Sequence, residues 1–419
     1  MQIFHPNRGK IPDEMDSMES AIDLERNMSY NMNDDYFAYS EEIDIRRNTM
    51  VVLDVQLNNY YAFQNFHMNL TYPKKIVGSC IDQEHLEGHP NFRYKKVNII
   101  MGANASGKTT FGHMLMNIFN FLARKNFDYV TEGINDRTKD ASFILDLASK
   151  ENIFYRIICT VTPCKNDQYT EDNIKLEIRR EKINLKDSYE SCAKRIGEAP
   201  SQKTESYLEE LEKIGELDWL FEYPEDTMRI LQFPKNDPKF RAILENILKA
   251  LDPSIRSVEA SRDVENAYVV RLRDKAVILQ NGERFTTELL SSGTKAGVEV
   301  ARVLSSLVQR QYSFYYCDEK FPYVHNDVEK AVLSLMIDYV GPGEQLFFTT
   351  HNTSILDMNL PKHAFTFLRK DQDDEDCPIT CIDASALLKR NSDSLKNAVE
   401  NDMFCSAPAV DLIYDIADL

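Results

Sequence analysis

Two short runs carry groups that could do chemistry together. Gly102-Ala103-Asn104-Ala105-Ser106-Gly107-Lys108-Thr109 has the spacing G-x-x-x-x-G-K-[ST]. Glycines let such a backbone wrap closely, so that its N–H groups converge on phosphate oxygens, and the N-terminus of a following helix adds favourable partial charge. Lys108 would then reach the β- and γ-phosphates of a nucleotide and the Thr109 hydroxyl would ligate Mg²⁺, with Asn104, Ala105, Ser106 and Thr110 completing the cradle. A phosphate loop needs a second carboxylate to hold the magnesium and a group to polarise the attacking water. The run SFYYCDE supplies both, with Asp318 as the metal ligand and Glu319 as the water-polarising group.

Two smaller pieces keep a fixed order around this pair. Before it, Leu290-Ser291-Ser292-Gly293-Thr294-Lys295 is a small polar turn that opens an apolar-faced helix. Such a helix N-terminus is anion-receptive and could cap phosphates held by a different phosphate loop. After it, the apolar run QLFFTT ends in His351, followed by Asn352 and Thr353. A histidine there can hydrogen-bond a γ-phosphate or the catalytic water; it can equally be a turn residue that satisfies backbone groups.

The elements that must position these groups are legible from periodicity. Val97–Met101 is a short apolar run that stops at Gly102, and residues 109–124 place apolar side chains three and four apart, giving strand, loop and helix. VVLDVQL and FHMNLTY read as a hairpin, SFILDL and IFYRIICTV as strands, residues 238–251 as an amphipathic helix, and YVVRL with AVILQ as a strand pair. The last third alternates a helix near 294–311, strand SFYYCD, a helix near 327–339, and strands QLFFTT, AFTFLR and PITCID, which implies a largely parallel core sheet. Between 163 and 227 the chain is polar and charged, with one helical stretch at SYLEELEKIGEL.

Composition narrows the class. Of 419 residues, 43% are hydrophobic and 28% charged, a globular balance that excludes a chain disordered throughout. Against 67 Asp and Glu stand 49 Lys and Arg, a net charge of −18 and the wrong overall sign for a protein that mainly grips phosphate backbones. No run is long and apolar enough for a membrane span and no signal layout opens the chain, so the expectation is a cytoplasmic protein. The eight cysteines include no CxxC pair and signal neither a disulfide framework nor structural zinc. The acidic run DQDDED at 371–376 reads as a solvated turn.

Taken in order, GANASGKT, LSSGTK, CDE and TTHN resemble the Walker A, signature, Walker B and switch-histidine motifs of ATP-binding-cassette-type ATPase heads, in the branch of SMC, RecF and the OLD-like ATPases. The resemblance covers about residues 50–370. The S-x-G-T and H-N-T variants, with His325, look most like the stand-alone OLD-like ATPases of bacterial phage defence, the ATPase subunit of PARIS-type systems among them.

This resemblance implies an α/β P-loop NTPase fold, an ABC-type head with a mixed core sheet, an antiparallel β-subdomain and an inserted helical lobe. The corresponding division is an acidic arm at 1–48, head halves at 49–162 and 251–390, a helical and charged arm at 163–250 and a tail at 391–419. It implies ATP and Mg²⁺ as ligands and hydrolysis using Glu319 and His351. Two heads would meet head to tail, Ser291, Gly293 and Thr294 of one contacting ATP held by Gly107, Lys108 and Thr109 of the other. The expected partners are a second copy and a separate effector, a nuclease or toxin, because no HNH or HEXXH constellation is present and too little chain follows His351 for a further catalytic domain. DNA is disfavoured by charge; the alternative function is a RecF- or SMC-like DNA repair or recombination ATPase. For the glutamine that links the γ-phosphate to the helical lobe, the candidates are Gln168 and Gln232, and Lys295 could add charge to the shared site.

Overall fold

The computed structural model describes residues 49–74, 78–164, 168–198, 206–223, 231, 233–234, 236–283, 290–319, 324–371, 374, 376–390, 393–404 and 416. The arm expected at 1–48 lies outside them, as does Gln232.

The expected first hairpin forms as β1 (Met50–Asn58) antiparallel to β2 (Phe66–Asn69). A small hairpin of β3 (His85–Leu86) and β4 (His89–Arg93) precedes β5 (Val97–Met101), after which come α1 (Lys108–Arg124) and the short α2 (Asp128–Thr131). β6 (Ala141–Ser149), β7 (Ile153–Val161) and β8 (Ile174–Lys182) join the first hairpin in a five-stranded antiparallel sheet ordered β2-β1-β6-β7-β8. Helices α3 (Tyr189–Glu198) and α4 (Tyr207–Leu211), strand β9 (Trp219–Glu222) and helix α5 (Pro238–Leu251) lead to a three-stranded antiparallel sheet of β10 (Ser257–Ala260), β11 (Ala267–Arg271) and β12 (Ala276–Gln280). The alternation expected at the end follows as α6 (Ser292–Val308), β13 (Phe314–Asp318), α7 (Asn326–Tyr339), β14 (Gln345–Thr350), β15 (Phe365–Lys370) and β16 (Ile379–Asp383), then α8 (Ala384–Leu387) and α9 (Leu395–Glu400).

The six-stranded core sheet runs β16-β15-β5-β14-β13-β9, parallel from β15 to β9 with β16 antiparallel at one edge. Its central strands are apolar on both sides because both faces are covered. Val97, Ile99, Met101, Tyr315, Cys317, Leu346 and Phe348 enter a core shared with α5, α6 and α7. Ile100, Phe314, Tyr316 and Phe347 enter the opposite core, where α1 is packed between this sheet and the antiparallel one. Asp318 pairs with Thr349, and Thr350 with Met101, so three neighbouring strands end at one level.

Two expectations are corrected. Residues 163–250 are not helical throughout: beside α3, α4 and α5, β8 extends the antiparallel sheet, β9 is an edge strand of the core sheet, and helix α4 covers only Tyr207–Leu211 of the expected stretch. Ile174, Leu176 and Ile178 are buried while Lys175 is exposed and Glu177 and Arg179 are partly so, an alternation whose outward charges disguise a strand as a polar insertion. Nor is all of 391–419 a tail. Leu395 and Ala398 of α9 are buried, and Phe404 stacks on Phe367 of β15 with ring centroids 3.9 Å apart.

One buried side chain ties the core sheet directly to the backbone of β1. Gln345, fully buried at the start of β14, accepts from Val52 N at 2.6 Å and donates to Val52 O and Lys95 O, both at 2.9 Å. It does so where the pairing of β1 with β6 shifts register between Val52 and Asp54. Gln345→Ala strands a buried backbone N–H and two carbonyls, and at about 1–3 kcal/mol for each unsatisfied group the expected loss is about 2–4 kcal/mol, after partial relaxation. A urea-unfolding midpoint checks it.

Candidate functional site

β5 ends at Met101, and the chain turns through Gly102 against the neighbouring strand β15. A side chain there would put its Cβ 2.5 Å from Leu368 O and 2.6 Å from Ser106 Oγ, so only glycine fits. Gly107, the residue before α1, has φ 100°, and no side chain caps the helix. Nor is there an acidic residue in the first helical turn, where one would ordinarily help. The first-turn N–H groups are thus left to another acceptor. Ser106 is buried and its hydroxyl oxygen has no hydrogen-bond partner, a polar atom oriented into the loop without a use in the chain itself. These features fit a phosphate.

Lys108 is 5% exposed, and its ammonium donates to Gly102 O at 2.9 Å and Ala103 O at 3.2 Å. It also lies 3.2 Å from Glu319 Oε1. Asn104 and Ala105 form the exposed rim of the loop, with Ala105 at φ 61°, and Thr110 is partly buried on the first turn of α1.

The carboxylate pair is held from two sides. Thr109 Oγ1 donates to Asp318 Oδ2 at 2.6 Å and Thr349 Oγ1 donates to Oδ1 at 2.5 Å. Burial raises the carboxyl pKa of Asp318 above its ordinary value, while these two hydroxyls draw it back. Glu319 N–H is shared between Thr349 O at 3.2 Å and Thr349 Oγ1 at 3.0 Å, and Glu319 Oε2 lies 3.4 Å from His351 Nδ1. Thr109 and Asp318 present the hard oxygen donors that suit Mg²⁺. Among the described residues no group of three or more His, Cys, Asp or Glu could hold a metal, so protein ligands alone do not make a cage.

Lys108, Thr109, Asp318, Glu319 and His351 therefore come together within one chain. Ser291, Gly293 and Thr294 do not join them: Ser291 is exposed at the start of α6, accepts from Thr294 N at 3.1 Å and contacts Thr294 Oγ1 at 2.8 Å, while Thr294 is buried. Lys295 is partly exposed beside them. His325 caps α7, its Nδ1 accepting from Asp327 N at 3.2 Å, with the ring exposed. Gln168 is exposed on the connection between β7 and β8 in the antiparallel sheet, not at the core-sheet edge.

Sequence reasoning missed Thr349, although the paired threonines before His351 were its signal, and Tyr316, whose hydroxyl donates to Lys108 O at 2.7 Å. It also missed a cleft of about 460 Å³ lined by Asn59, Tyr61, Gln64, Asn135 and Lys139, with Asp374 and Asp376 of the acidic run. The cleft flanks the loop, because Phe63 and Ile379, neighbours in sequence of its lining residues, pack where a Gly107 side chain would lie. Thr349→Val keeps the shape but strips Asp318 Oδ1 and one Glu319 N–H acceptor of their hydroxyl; a loss of about 1–3 kcal/mol is expected by chemical denaturation.

No family model matches the sequence, and no curated protein matches it. Among solved structures the chain is similar to an SMC head bound to the C-winged helix domain of ScpA, at 13% identity and a TM-score of 0.46, covering 81% of this chain and 99% of that one. It is similar to the SMC head domain from Thermotoga maritima at 11% identity and a TM-score of 0.40, covering 79% and 98%. It is also similar to the recombination mediator protein RecF in its ATPrS structure, at 11% identity and a TM-score of 0.40, covering 80% and 99%.

Proposed function

We propose that this chain binds and hydrolyses ATP as an ABC-type head and acts as a nucleotide-dependent assembly switch. The observation that carries the reading is the convergence of Lys108, Thr109, Asp318, Glu319 and His351, from three strand ends, within hydrogen-bond or ion-pair reach of one another. The loop N–H groups, Ser106 and Lys108 bind the phosphates. Thr109 and Asp318 hold Mg²⁺, which when bound neutralises charge on the phosphates during transfer. Lys108 is shared between loop carbonyls and Glu319, so a phosphate that takes the ammonium frees the Glu319 carboxylate to accept a hydrogen bond from water. His351, facing the other Glu319 oxygen, orients that carboxylate and can donate to the same water or to the γ-phosphate.

Ser291 lies exposed and Gly293 partly exposed at the start of α6, and the Ser291 hydroxyl bonds only within that turn, to Thr294, which supports a role toward ATP held by a second copy. The LSSGTK and TTHN motifs support placing the switch among OLD-like ATPases, in anti-phage defence with a separate effector. The alternative, a RecF- or SMC-like DNA repair or recombination ATPase, uses the same site chemistry; the net charge of −18 weighs against it, and ATP-dependent, salt-sensitive duplex binding would select it.

Two variants separate binding from turnover. Lys108→Ala removes a charged donor worth about 1.5–3 kcal/mol, so ATP affinity should fall by about 10- to 100-fold in an equilibrium titration. Unchanged affinity would sink the phosphate-site assignment. Glu319→Gln should still bind ATP, lose turnover, and gain mass in solution with Mg²⁺ and ATP; a mass that stays at one chain would remove the dimer from the proposal.

A further inference from the structure

His351 emerges from the end of β14 with its side chain 61% exposed, so packing does not fix its direction. The residues on either side of it are fixed, and by one group. Glu329, on the first turn of α7 and 5% exposed, accepts from Thr350 Oγ1 at 3.1 Å through one oxygen and from Asn352 Nδ2 at 2.5 Å through the other. Asn352 Nδ2 also donates to Asn326 Oδ1 at 3.1 Å, at the start of the same helix. The turn is then closed locally: Asn352 N donates to Thr350 Oγ1 at 3.0 Å, and Asn352 Oδ1 accepts from Ser354 N at 2.9 Å.

Burying a carboxylate is costly unless it is ion-paired, and among the described residues no Lys, Arg or His forms an ion pair with Glu329. Burial raises its carboxyl pKa, and the two donors only draw it back. A first-turn acid suits the positive end of α7, but that favours any acid on the turn and does not require a buried one. The feature that distinguishes a carboxylate here is its two acceptor oxygens, one for each neighbour of His351.

We propose that Glu329 is a positioning residue for His351, clamping Thr350 and Asn352 so that the imidazole between them faces Glu319. This rests on the ATPase reading for its consequence, though not for the clamp itself. Because the clamp is carried by α7, whose first turn it uses, any displacement of that helix start is transmitted to His351.

The test uses the full chain and two readouts. In the nucleotide-free protein, Glu329→Ala should raise amide exchange across residues 350–354 by about tenfold while Leu346–Thr349 stays as in wild type, since a local hold and not the strand is lost. In steady-state kinetics the same variant should lower kcat by about 10- to 100-fold with KM for ATP within about twofold, the split expected when only transition-state positioning is lost. Glu329→Ala combined with His351→Ala should be no slower than His351→Ala alone. Glu329→Gln retains an acceptor for Asn352 and should recover part of the rate. Should Glu329→Ala fail to fold, Asn352→Ala is expected to give the same pattern at smaller size. Multiplying losses in the double variant, wild-type turnover, or unchanged exchange would each overturn the proposal. A wild-type chain that neither binds nor hydrolyses ATP would sink the ATPase reading instead, and the exchange result would still decide whether Glu329 holds the turn.

Discussion

The site depends on the parallel register of β5, β14 and β13. Because Met101 pairs with Thr350 and Thr349 with Asp318, the three strands release their chains side by side at one edge of the sheet. Gly102 begins the loop, His351 begins the next turn and Glu319 follows β13 within a few ångströms of one another, as their shared contacts require. Ligands of open α/β sheets are held beyond the carboxyl ends of parallel strands for this reason. A change of register in β14 would move Thr349 and His351 together and dismantle the site without touching the phosphate loop. Gln345 guards against that slip, since its amide ties the first residue of β14 to Val52 and Lys95.

Much of this was legible in the sequence, for a physical reason. Strands buried on both faces read as unbroken apolar runs, and VNIIM, FYYCD and QLFFTT were placed correctly because they lie between two cores. The loop was legible because its chemistry is local: two glycines, a lysine and a hydroxyl at fixed spacing, all served by one backbone turn. Helix α5 was legible through its amphipathic pattern, and the structure adds Asp237 at its N-cap and Pro238 in its first turn.

The parts that sequence did not yield are set by partners far along the chain. Thr349 acts on Asp318 across adjacent strands, Glu329 on Asn352 from a helix, and Gln345 on Val52 from another sheet; none of these residue types signals its partner. β8 was hidden because its charged residues outnumber its apolar ones, and composition outweighed alternation. α9 and Phe404 are not legible as packed structure because a short amphipathic segment declares itself only when there is a surface to receive it, here the ring of Phe367. Buried ion pairs were equally invisible: Arg302 of α6 meets Glu222 at the end of β9, and although burial alone would lower its pKa, Glu222 and Glu299 hold it fully charged.

The adjacency of Asp318 and Glu319 poses a geometric problem that the backbone solves. In a regular strand consecutive side chains face opposite sides of the sheet, so two neighbouring carboxylates cannot both address the start of α1. Asp318 does so from within β13, through Thr109. Glu319 does so through Lys108 only because its backbone leaves the strand, at φ 39°, in the left-handed region that a residue with a side chain seldom adopts. Such a conformation costs on the order of 1–3 kcal/mol and persists where surrounding groups over-determine it. Here the over-determination is Thr349, which takes the Glu319 N–H with both its carbonyl and its hydroxyl while holding Asp318 with that same hydroxyl. One threonine thereby breaks the alternation of the strand and brings the carboxylate proposed to bind metal and the carboxylate proposed to polarise water to the same side. The strain at Glu319 is therefore part of how the proposed chemistry is arranged, and the stability given up there is returned by the hydrogen bonds that converge on Thr349.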